Sequence, residues 1–387
     1  MAVYVYLQSV ELHNFRNFSE RQFDFCPGIN VFFGLNASGK TNLLESIHVL
    51  SNLRSFRTRS FRELVQWEQK EAYARGSVHA GNTNRQVDLG IKTLAVGIKS
   101  NTRTSLLNSK PCKSSKDYLQ VLPSATFVPD DLSLVKGAPA HRRYFLDKGT
   151  FHFYPPYWSL LTDYNRVLRQ KNILLRKEQH QKKRHDETCD IWNLQLQTFG
   201  SKILVQRVFF LRQLQRLLVD VYAKWLGTSE TVQLAYKTSI GLAEDALRQV
   251  GESKLHDAHQ YVSDEYGEAI ERAREREYRL GATIVGPHRD DIELTVAGRP
   301  LRAYGSQGQQ RTAVLALKLA EIHLFYEQYH EFPILLLDDV TSELDIQRNM
   351  KLFEYLQQGM QVFMTATNRP DFPTHQQLSC TYIELGV

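Results

Sequence analysis

The most informative segment of this 387-residue chain is Gly34-Leu35-Asn36-Ala37-Ser38-Gly39-Lys40-Thr41. The apolar segment before it, Ile29–Phe33, predicts a buried strand. The segment after it predicts a helix with Leu43, Ile47 and Leu50 on one face. Glycines at both ends of the loop let backbone N–H groups converge on an anion, and the helix N-terminus adds partial positive charge. The stretch therefore predicts a site for nucleotide phosphates.

The last two residues of this loop indicate which nucleotide is bound. Lys40 can reach the β- and γ-phosphates in a catalytic role, and the hydroxyl of Thr41 is a ligand for Mg²⁺. We therefore expect ATP and Mg²⁺ as cofactors, with all eight loop residues in contact with ATP.

A second apolar segment, Ile334–Leu337, ends in the carboxylates of Asp338 and Asp339. Two adjacent carboxylates after a buried strand are costly unless a cation lies nearby. We predict that Asp338 holds Mg²⁺ and that Asp339 orients or deprotonates the attacking water. The alternative is an ordinary turn just past a core strand.

Residues 304–311 open a buried helix shortly before that acidic strand end. Small residues, one hydroxyl and a helix N-terminus predict a second anion site, with Ser306 and Gly308 as the contacts. Because the chain already has one phosphate loop, the second site suggests the γ-phosphate of ATP bound by another copy, and hence a homodimer. The alternative for Ser306 is a simple helix N-cap.

This helix start resembles the signature motif of ATP-binding-cassette ATPases, and residues 342–345 resemble the loop that crosses the dimer interface in that class. The expected fold is α/β: a cassette-type ATPase head built from both termini, with a mostly helical lobe inserted. The predicted parts are residues 1–150 and 281–387 for the ATPase lobe and residues 151–280 for the helical lobe. Thr41 and Ser306 are 265 positions apart, farther than in a transporter ATPase and typical of the chromosome-maintenance and DNA-repair branch.

Within that branch, the chain is similar to the RecF family of bacterial DNA replication and repair proteins. The resembling segments are residues 12–18, 55–58, 127–132, 136–139, 142–147, 286–291, 306–311 and 337–345. The resemblance implies an ATP-driven dimeric clamp that acts on DNA at gaps or stalled forks. It further implies that RecR and RecO are partners in loading RecA, and that Arg16 contacts the nucleotide.

Two departures from the cassette pattern affect the expected chemistry. Residues 364–367 carry no His near the γ-phosphate, and Asp339 stands where many such ATPases have Glu. We expect slow, DNA-stimulated ATP hydrolysis, and no glutamine-loop residue is identified.

A basic run in the helical region is the predicted DNA contact. Such a face can neutralise phosphates without reading base sequence, although a solvated helix face is the alternative. The residues are Arg166, Arg169, Lys171, Arg176, Lys177, Lys182, Lys183 and Arg184. The run His288-Arg289-Asp290-Asp291 predicts a turn with an internal ion pair, a metal cluster being the alternative.

Composition limits the remaining possibilities. The formal net charge is +6, which is compatible with nucleic acid as a partner. The four cysteines lack metal or redox spacing, and no apolar run has membrane-spanning length, so a cytoplasmic protein is expected. The rival functions are a transporter ATPase subunit, an interaction protein with a degenerate nucleotide site, and a Rad50-like head, for which the insertion is too short to form a long coiled-coil arm.

Overall fold

The computed structural model describes residues 5–85, 87–112, 114–181, 186–226, 230–339, 351, 359–369 and 380–386. Two compact units make up the chain. The first contains Met1–Asp131 and Glu321–Val387, and the second contains Leu132–Ala320.

Strands and helices alternate along the described residues. The strands are β1 (Tyr6–Phe15), β2 (Phe18–Asp24), β3 (Ile29–Phe33), β4 (Glu71–Asn82), β5 (Val87–Lys99), β6 (Thr102–Leu107), β7 (Lys110–Pro111), β8 (Ser124–Phe127), β9 (Val232–Lys237), β10 (Asp291–Val296), β11 (Arg299–Pro300), β12 (Ile334–Leu337), β13 (Val362–Ala366) and β14 (Cys380–Glu384). The α-helices are α1 (Lys40–Asn52), α2 (Ser115–Leu119), α3 (Ser133–Lys136), α4 (Pro139–Phe153), α5 (Tyr157–Gln181), α6 (Asp186–Leu226), α7 (Glu244–Glu252), α8 (Leu255–Leu280), α9 (Leu301–Tyr304) and α10 (Gln307–Tyr329). Short 3₁₀ turns occur at Phe61–Leu64, Thr83–Arg85 and Pro129–Leu132.

A parallel five-stranded sheet forms the centre of the first unit, in the order β14-β3-β13-β12-β8. β3 comes from the N-terminal part of the chain and pairs on both sides with C-terminal strands. Burial on both faces explains why β12 is a continuous apolar run. This sheet confirms the predicted α/β head built from both termini.

A six-stranded antiparallel sheet, in the order β2-β1-β4-β5-β6-β7, completes the first unit. One face of it is buried, with Leu7, Val10 and Leu12 of β1 at most 1% exposed. Helix α1 contacts strands of both sheets. The tight β1–β2 turn, with Arg16 at φ +53°, brings Asn17 beside the start of that helix.

The second unit is built around the long helices α5, α6 and α8, with the small sheet β11-β10-β9. It extends beyond the predicted helical lobe of residues 151–280 in both directions. Helix α4 belongs to it because Gly149 packs directly on the Phe210 ring of α6. Residues 291–300 belong to it because β10 pairs with β9 along its whole length. Helix packing and strand pairing thus place the boundaries of the second unit at residues 132 and 320, whereas the composition of the segments indicated residues 151 and 280.

None of the described helices has both the length and the apolar character that a bilayer-spanning helix requires.

Candidate nucleotide-binding site

The loop between β3 and α1 has backbone geometry that only glycine accepts at two positions. Gly34 has φ +138°, and a Cβ there would lie 2.4 Å from the carbonyl oxygen of Leu385. Gly39 has φ +103°, and a Cβ there would lie 2.6 Å from the side-chain nitrogen of Asn17. The loop is therefore held tightly against its neighbours, with its backbone free of side-chain bulk at both ends.

Hydrogen-bond donors converge on this loop. Helix α1 begins at Lys40, and its first N–H groups have no partner within the helix. The N-cap residue, Gly39, supplies no side-chain cap for them either. The Lys40 ammonium folds over the loop and donates to the carbonyl oxygens of Gly34 and Leu35, at 2.7 and 2.8 Å. The hydroxyl of Ser38 is buried and bonds to none of the described groups. These donors fit the oxygens of a phosphate chain.

A cleft of about 760 Å³ opens beside the same loop. It is lined by Asn17 of the β1–β2 turn and residues of β2 such as Phe18, by loop residues 34–38, and by residues 384–386 at the end of β14. Its volume lies in the range of ordinary small-molecule sites. The cleft therefore has room for the part of a nucleotide that extends beyond the phosphates.

The carboxylate of Asp338 lies next to the end of the loop. Its Oδ1 accepts hydrogen bonds from the hydroxyls of Thr41 and Thr365, both at 3.0 Å. Burial raises the pKa of Asp338, and these two hydrogen bonds partly oppose that effect. Carboxylate and hydroxyl oxygens suit Mg²⁺, which takes its remaining ligands from phosphates and water. Within the described ranges, no cluster of three acidic, His or Cys side chains able to hold a metal occurs.

Thr365 is a further residue of the candidate site, and the sequence analysis did not single it out. Its hydroxyl bonds to Asp338 and also accepts the backbone N–H of Asp339, at 2.9 Å. Asp339 itself has φ +53°, a left-handed conformation that turns the chain sharply after β12. Thr365 is the penultimate residue of β13, the sheet neighbour of β12, and lies within residues 364–367, which contain no His. In the sequence, the signal is a hydroxyl residue near the end of an apolar strand; that this strand lies beside the acidic strand is known only from the structure.

Arg16 is engaged by a buried carboxylate. Its guanidinium donates two hydrogen bonds to Glu45, both at 2.8 Å, and one to the carbonyl oxygen of Glu63 at 2.7 Å. Glu45 lies in α1, is fully buried, and also accepts the hydroxyl of Ser55 at 2.5 Å. The interaction locks the β1–β2 turn to the loop helix, and contact between Arg16 and nucleotide stays a prediction.

Ser306 forms a reciprocal cap at the start of α10. Its hydroxyl accepts the N–H of Gln309 at 3.2 Å, and the Gln309 side chain accepts the N–H of Ser306 at 3.0 Å. Ser306 therefore caps the helix, as the alternative interpretation predicted. Both Ser306 and Gly308 are also exposed to solvent. Nothing lies within 4 Å of where a Cβ on Gly308 would be. Contact with a partner's nucleotide stays a prediction, and residues 342–345 lie outside the described residues.

Comparison with known proteins identifies the family. A family model for the RecF/RecN/SMC N-terminal domain matches residues 6–385. The DNA replication and repair protein RecF of Bacillus cereus (strain G9842) is 36% identical over 364 residues, which cover 94% of this chain and 92% of that protein. The chain belongs to the RecF family. The RecF protein of Bacillus thuringiensis (strain Al Hakam) shows the same identity and coverage.

Solved structures agree with this assignment. A structure of the recombination mediator protein RecF with ATP superposes with a TM-score of 0.87 at 30% identity, covering 100% of this chain and 97% of that one. An SMC head bound to the C-terminal winged-helix domain of ScpA gives a TM-score of 0.52 at 14% identity, with 94% and 90% covered, which shows a shared fold alone. The predicted family and fold class are confirmed.

The basic run predicted to contact DNA in this RecF-family chain is only partly at the surface. On α5, Arg166, Arg169, Arg176 and Lys177 are exposed. Lys171 is not: its ammonium is completely buried, 2.6 Å from the carboxylate of Glu277 on α8. The prediction for Lys171 is wrong because this side chain neutralises a buried carboxylate. Lys182, Lys183 and Arg184 lie outside the described residues.

The acidic residues of the 288–291 turn are bonded to groups outside it. Asp290 accepts the hydroxyl of Tyr236 at 2.6 Å, and Asp291 forms an ion pair with Arg142 at 2.7 Å. Arg289 donates instead to a backbone carbonyl within the preceding segment, at 3.2 Å. The predicted internal ion pair is therefore wrong, because each acidic side chain has a partner from another element of the second unit.

Proposed function

We propose that this chain is an ATP-dependent DNA-binding protein of recombinational repair, in which ATP closes a dimer around DNA and hydrolysis reopens it. The observation that carries the proposal is the joining of the loop helix to the acidic strand end through Thr41, Asp338 and Thr365. That arrangement puts a hydroxyl and a carboxylate at the end of a donor-rich phosphate loop.

ATP binding follows from the donors of the loop. The N–H groups at the start of α1 and the ammonium of Lys40 would hold the phosphates, and the cleft beside the loop would take the nucleoside. Thr41 and Asp338 would hold Mg²⁺, which neutralises charge on the transferred phosphoryl group. The RecF relative whose structure contains ATP supports this assignment.

Hydrolysis requires a positioned water. Asp339 directly follows Asp338, and its backbone is fixed by the hydroxyl of Thr365. We assign Asp339 to orienting the attacking water and Thr365 to holding the two aspartates in register. A short carboxylate in that role leads us to expect slow turnover, consistent with ATP acting as a switch.

Dimerisation would complete the ATP site. Ser306 and Gly308 are exposed at the start of α10, where backbone N–H groups and the helix dipole favour an anion. A second copy presenting these residues would contact the γ-phosphate. Duplex or gapped DNA would then be held without sequence preference by exposed arginines such as Arg166 and Arg169. By analogy with the RecFOR pathway in which the solved RecF relative is placed, RecR, RecO and RecA are the proposed partners.

The test is analytical ultracentrifugation with ATP, with and without gapped DNA, for the wild type and Lys40→Met. We expect a dimer for the wild type with ATP, stabilised by DNA, and a monomer for Lys40→Met under the same conditions. A wild-type protein that stays monomeric with saturating ATP and DNA would refute the clamp. Equal dimerisation of both proteins would remove ATP from the switch.

A further inference from the structure

The segment that joins α1 to β4 is basic and carries an unusually exposed aromatic side chain. Residues 54–70 contain five basic and two acidic residues, and all five basic side chains are exposed: Arg54, Arg57, Arg59, Arg62 and Lys70. Trp67 is 92% exposed, the highest value among the described large hydrophobic side chains. Tryptophan is enriched at binding surfaces because its ring is large and flat, so an exposed indole within a basic segment is a candidate contact for a ligand.

The backbone around Trp67 is anchored rather than loose. The N–H of Arg16 donates to the carbonyl of Leu64, and the N–H of Gln66 donates to the carbonyl of Asn14, both at 2.8 Å. Leu64 is completely buried below the turn. The fold therefore fixes the position from which the indole projects.

Charged and polar residues flank Trp67 in the sequence. Arg62 donates to the carbonyl oxygen of Gln69 at 2.6 Å and thereby closes the turn that contains Trp67. Residues 68–70 are exposed and polar. On the neighbouring β6 strand, the guanidinium of Arg103 lies over the Phe61 ring, 5.3 Å from its centroid. A polyanion with flat aromatic faces matches both the positive charge of this segment and its exposed indole.

We propose that residues 54–70 bind single-stranded nucleic acid, with the basic side chains on the backbone phosphates and an unpaired base stacked on Trp67. Stacking on an aromatic side chain requires a base that is not already stacked within a duplex. The surface therefore fits a single-stranded segment, including the unpaired strand beside a duplex end.

The same segment is bonded to the loop helix. Arg57 donates to the side-chain oxygen of Asn42 at 2.7 Å, and Ser55 bonds to Glu45, both of which lie in the first half of α1. Asn42 directly follows Thr41. A DNA strand bound at Trp67 would therefore contact the segment that is hydrogen-bonded to the helix holding the phosphates. This connection gives a route by which DNA would stimulate ATP hydrolysis. This inference rests on the proposed ATP-dependent DNA-binding function and names the part of the DNA that reaches the ATPase unit.

The first experiment compares binding of a fluorescent oligothymidylate and of a blunt duplex in the presence of ATP. We expect Trp67→Ala to weaken oligothymidylate binding about tenfold, the usual size of one base–aromatic stack, with little effect on the duplex. Trp67→Phe should retain most of the affinity because it keeps a ring. Tyr261→Ala, which removes a 42% exposed aromatic side chain from α8, is the matched control and should bind as the wild type does.

The second experiment measures the salt dependence of oligothymidylate binding for Arg59→Gln/Lys70→Gln. Each lost phosphate contact should reduce the slope of log K against log salt by about 0.7. An unchanged slope together with full affinity of Trp67→Ala would overturn the inference while leaving the proposed function intact. If the wild-type protein with ATP binds neither the oligothymidylate nor the blunt duplex, both this inference and the proposed function are overturned.

Discussion

Breaking the buried ion pair between α5 and α8 should markedly lower the stability of the second unit. Lys171 and Glu277 are 0% and 2% exposed, and their charged atoms lie 2.6 Å apart. Lys171→Met removes the cation and leaves a carboxylate in the interior. Breaking such a pair costs about 3–5 kcal/mol. We expect the lower half of that range, because the N–H of Ile284 still donates to the other Glu277 oxygen at 2.8 Å.

The loss should appear as a lower melting temperature of the second unit. For a unit of this size, each kcal/mol shifts the midpoint by about 2–4 °C, so roughly 6–16 °C is expected. Differential scanning calorimetry gives the midpoint, and hydrogen exchange of peptides from α5 and α8 locates the loss. Lys171→Met/Glu277→Gln should recover much of the stability because no charge then remains buried.

Arg166→Gln is the matched control on the same helix. Arg166 pairs with Asp163 at 2.9 Å but is 66% exposed, so its loss should cost less than about 1 kcal/mol. If Lys171→Met melts within 2 °C of the wild type, the buried pair is not the stabilising contact described. If Lys171→Met weakens DNA binding more than Arg166→Gln does, at a temperature where both are folded, Lys171 contacts DNA after all.

Three further predictions concern the nucleotide site. Because burial raises the pKa of Asp338, ATP hydrolysis should fall as pH is lowered. Thr365→Val removes a hydrogen bond that lowers this pKa, so it should move the acidic limb of the pH–rate profile to higher pH. An unshifted profile would contradict this prediction. Ser306→Arg should spare ATP binding but abolish the ATP-dependent dimer in sedimentation, and an unchanged dimer would remove Ser306 from its assigned role. Gly34→Ala should weaken ATP binding about tenfold or more in a fluorescent-ATP titration, because its Cβ would collide with the Leu385 carbonyl oxygen at a strained φ; wild-type affinity would show that the loop is not held as described.

The nucleotide site was predictable where its chemistry is local in sequence. The loop and the strand before it lie within about a dozen residues, and Asp338 follows an apolar run that is typical of a buried strand. Thr365 was not predictable in the same way, because its role depends on β13 lying beside β12. Strand order is a property of the whole sheet, and neither segment carries it alone.

The burial of Lys171 shows how a charge run can mislead. Its positive neighbours favoured a solvated or DNA-binding face, yet Tyr164, Val167 and Leu175 lie at helical spacing from it and are all buried. The helical period therefore placed Lys171 on the buried stripe. Its partner is on another helix 106 residues away, so the sequence could not show what compensates the charge.

The boundaries of the second unit depended on contacts of the same kind. Gly149 marks no change in composition, but its lack of a side chain lets α4 lie directly on Phe210. The strand β10 reads as part of a C-terminal sheet until its pairing with β9 is known. Both segments were predicted as part of the ATPase lobe because each is typical of it when considered alone.

The position of β3 in the parallel sheet determines how late in synthesis this sheet can form. Ile29 pairs with Val362 on one side and with Cys380 on the other. During synthesis at about 5–20 residues per second, β3 must wait on the order of tens of seconds for both neighbours to leave the ribosome. The second unit, continuous in sequence from Leu132 to Ala320, can finish folding within that interval. The apolar strand that precedes the phosphate loop is thus made long before its sheet neighbours, and we expect the nascent chain to bind ATP only after β14 has been synthesised.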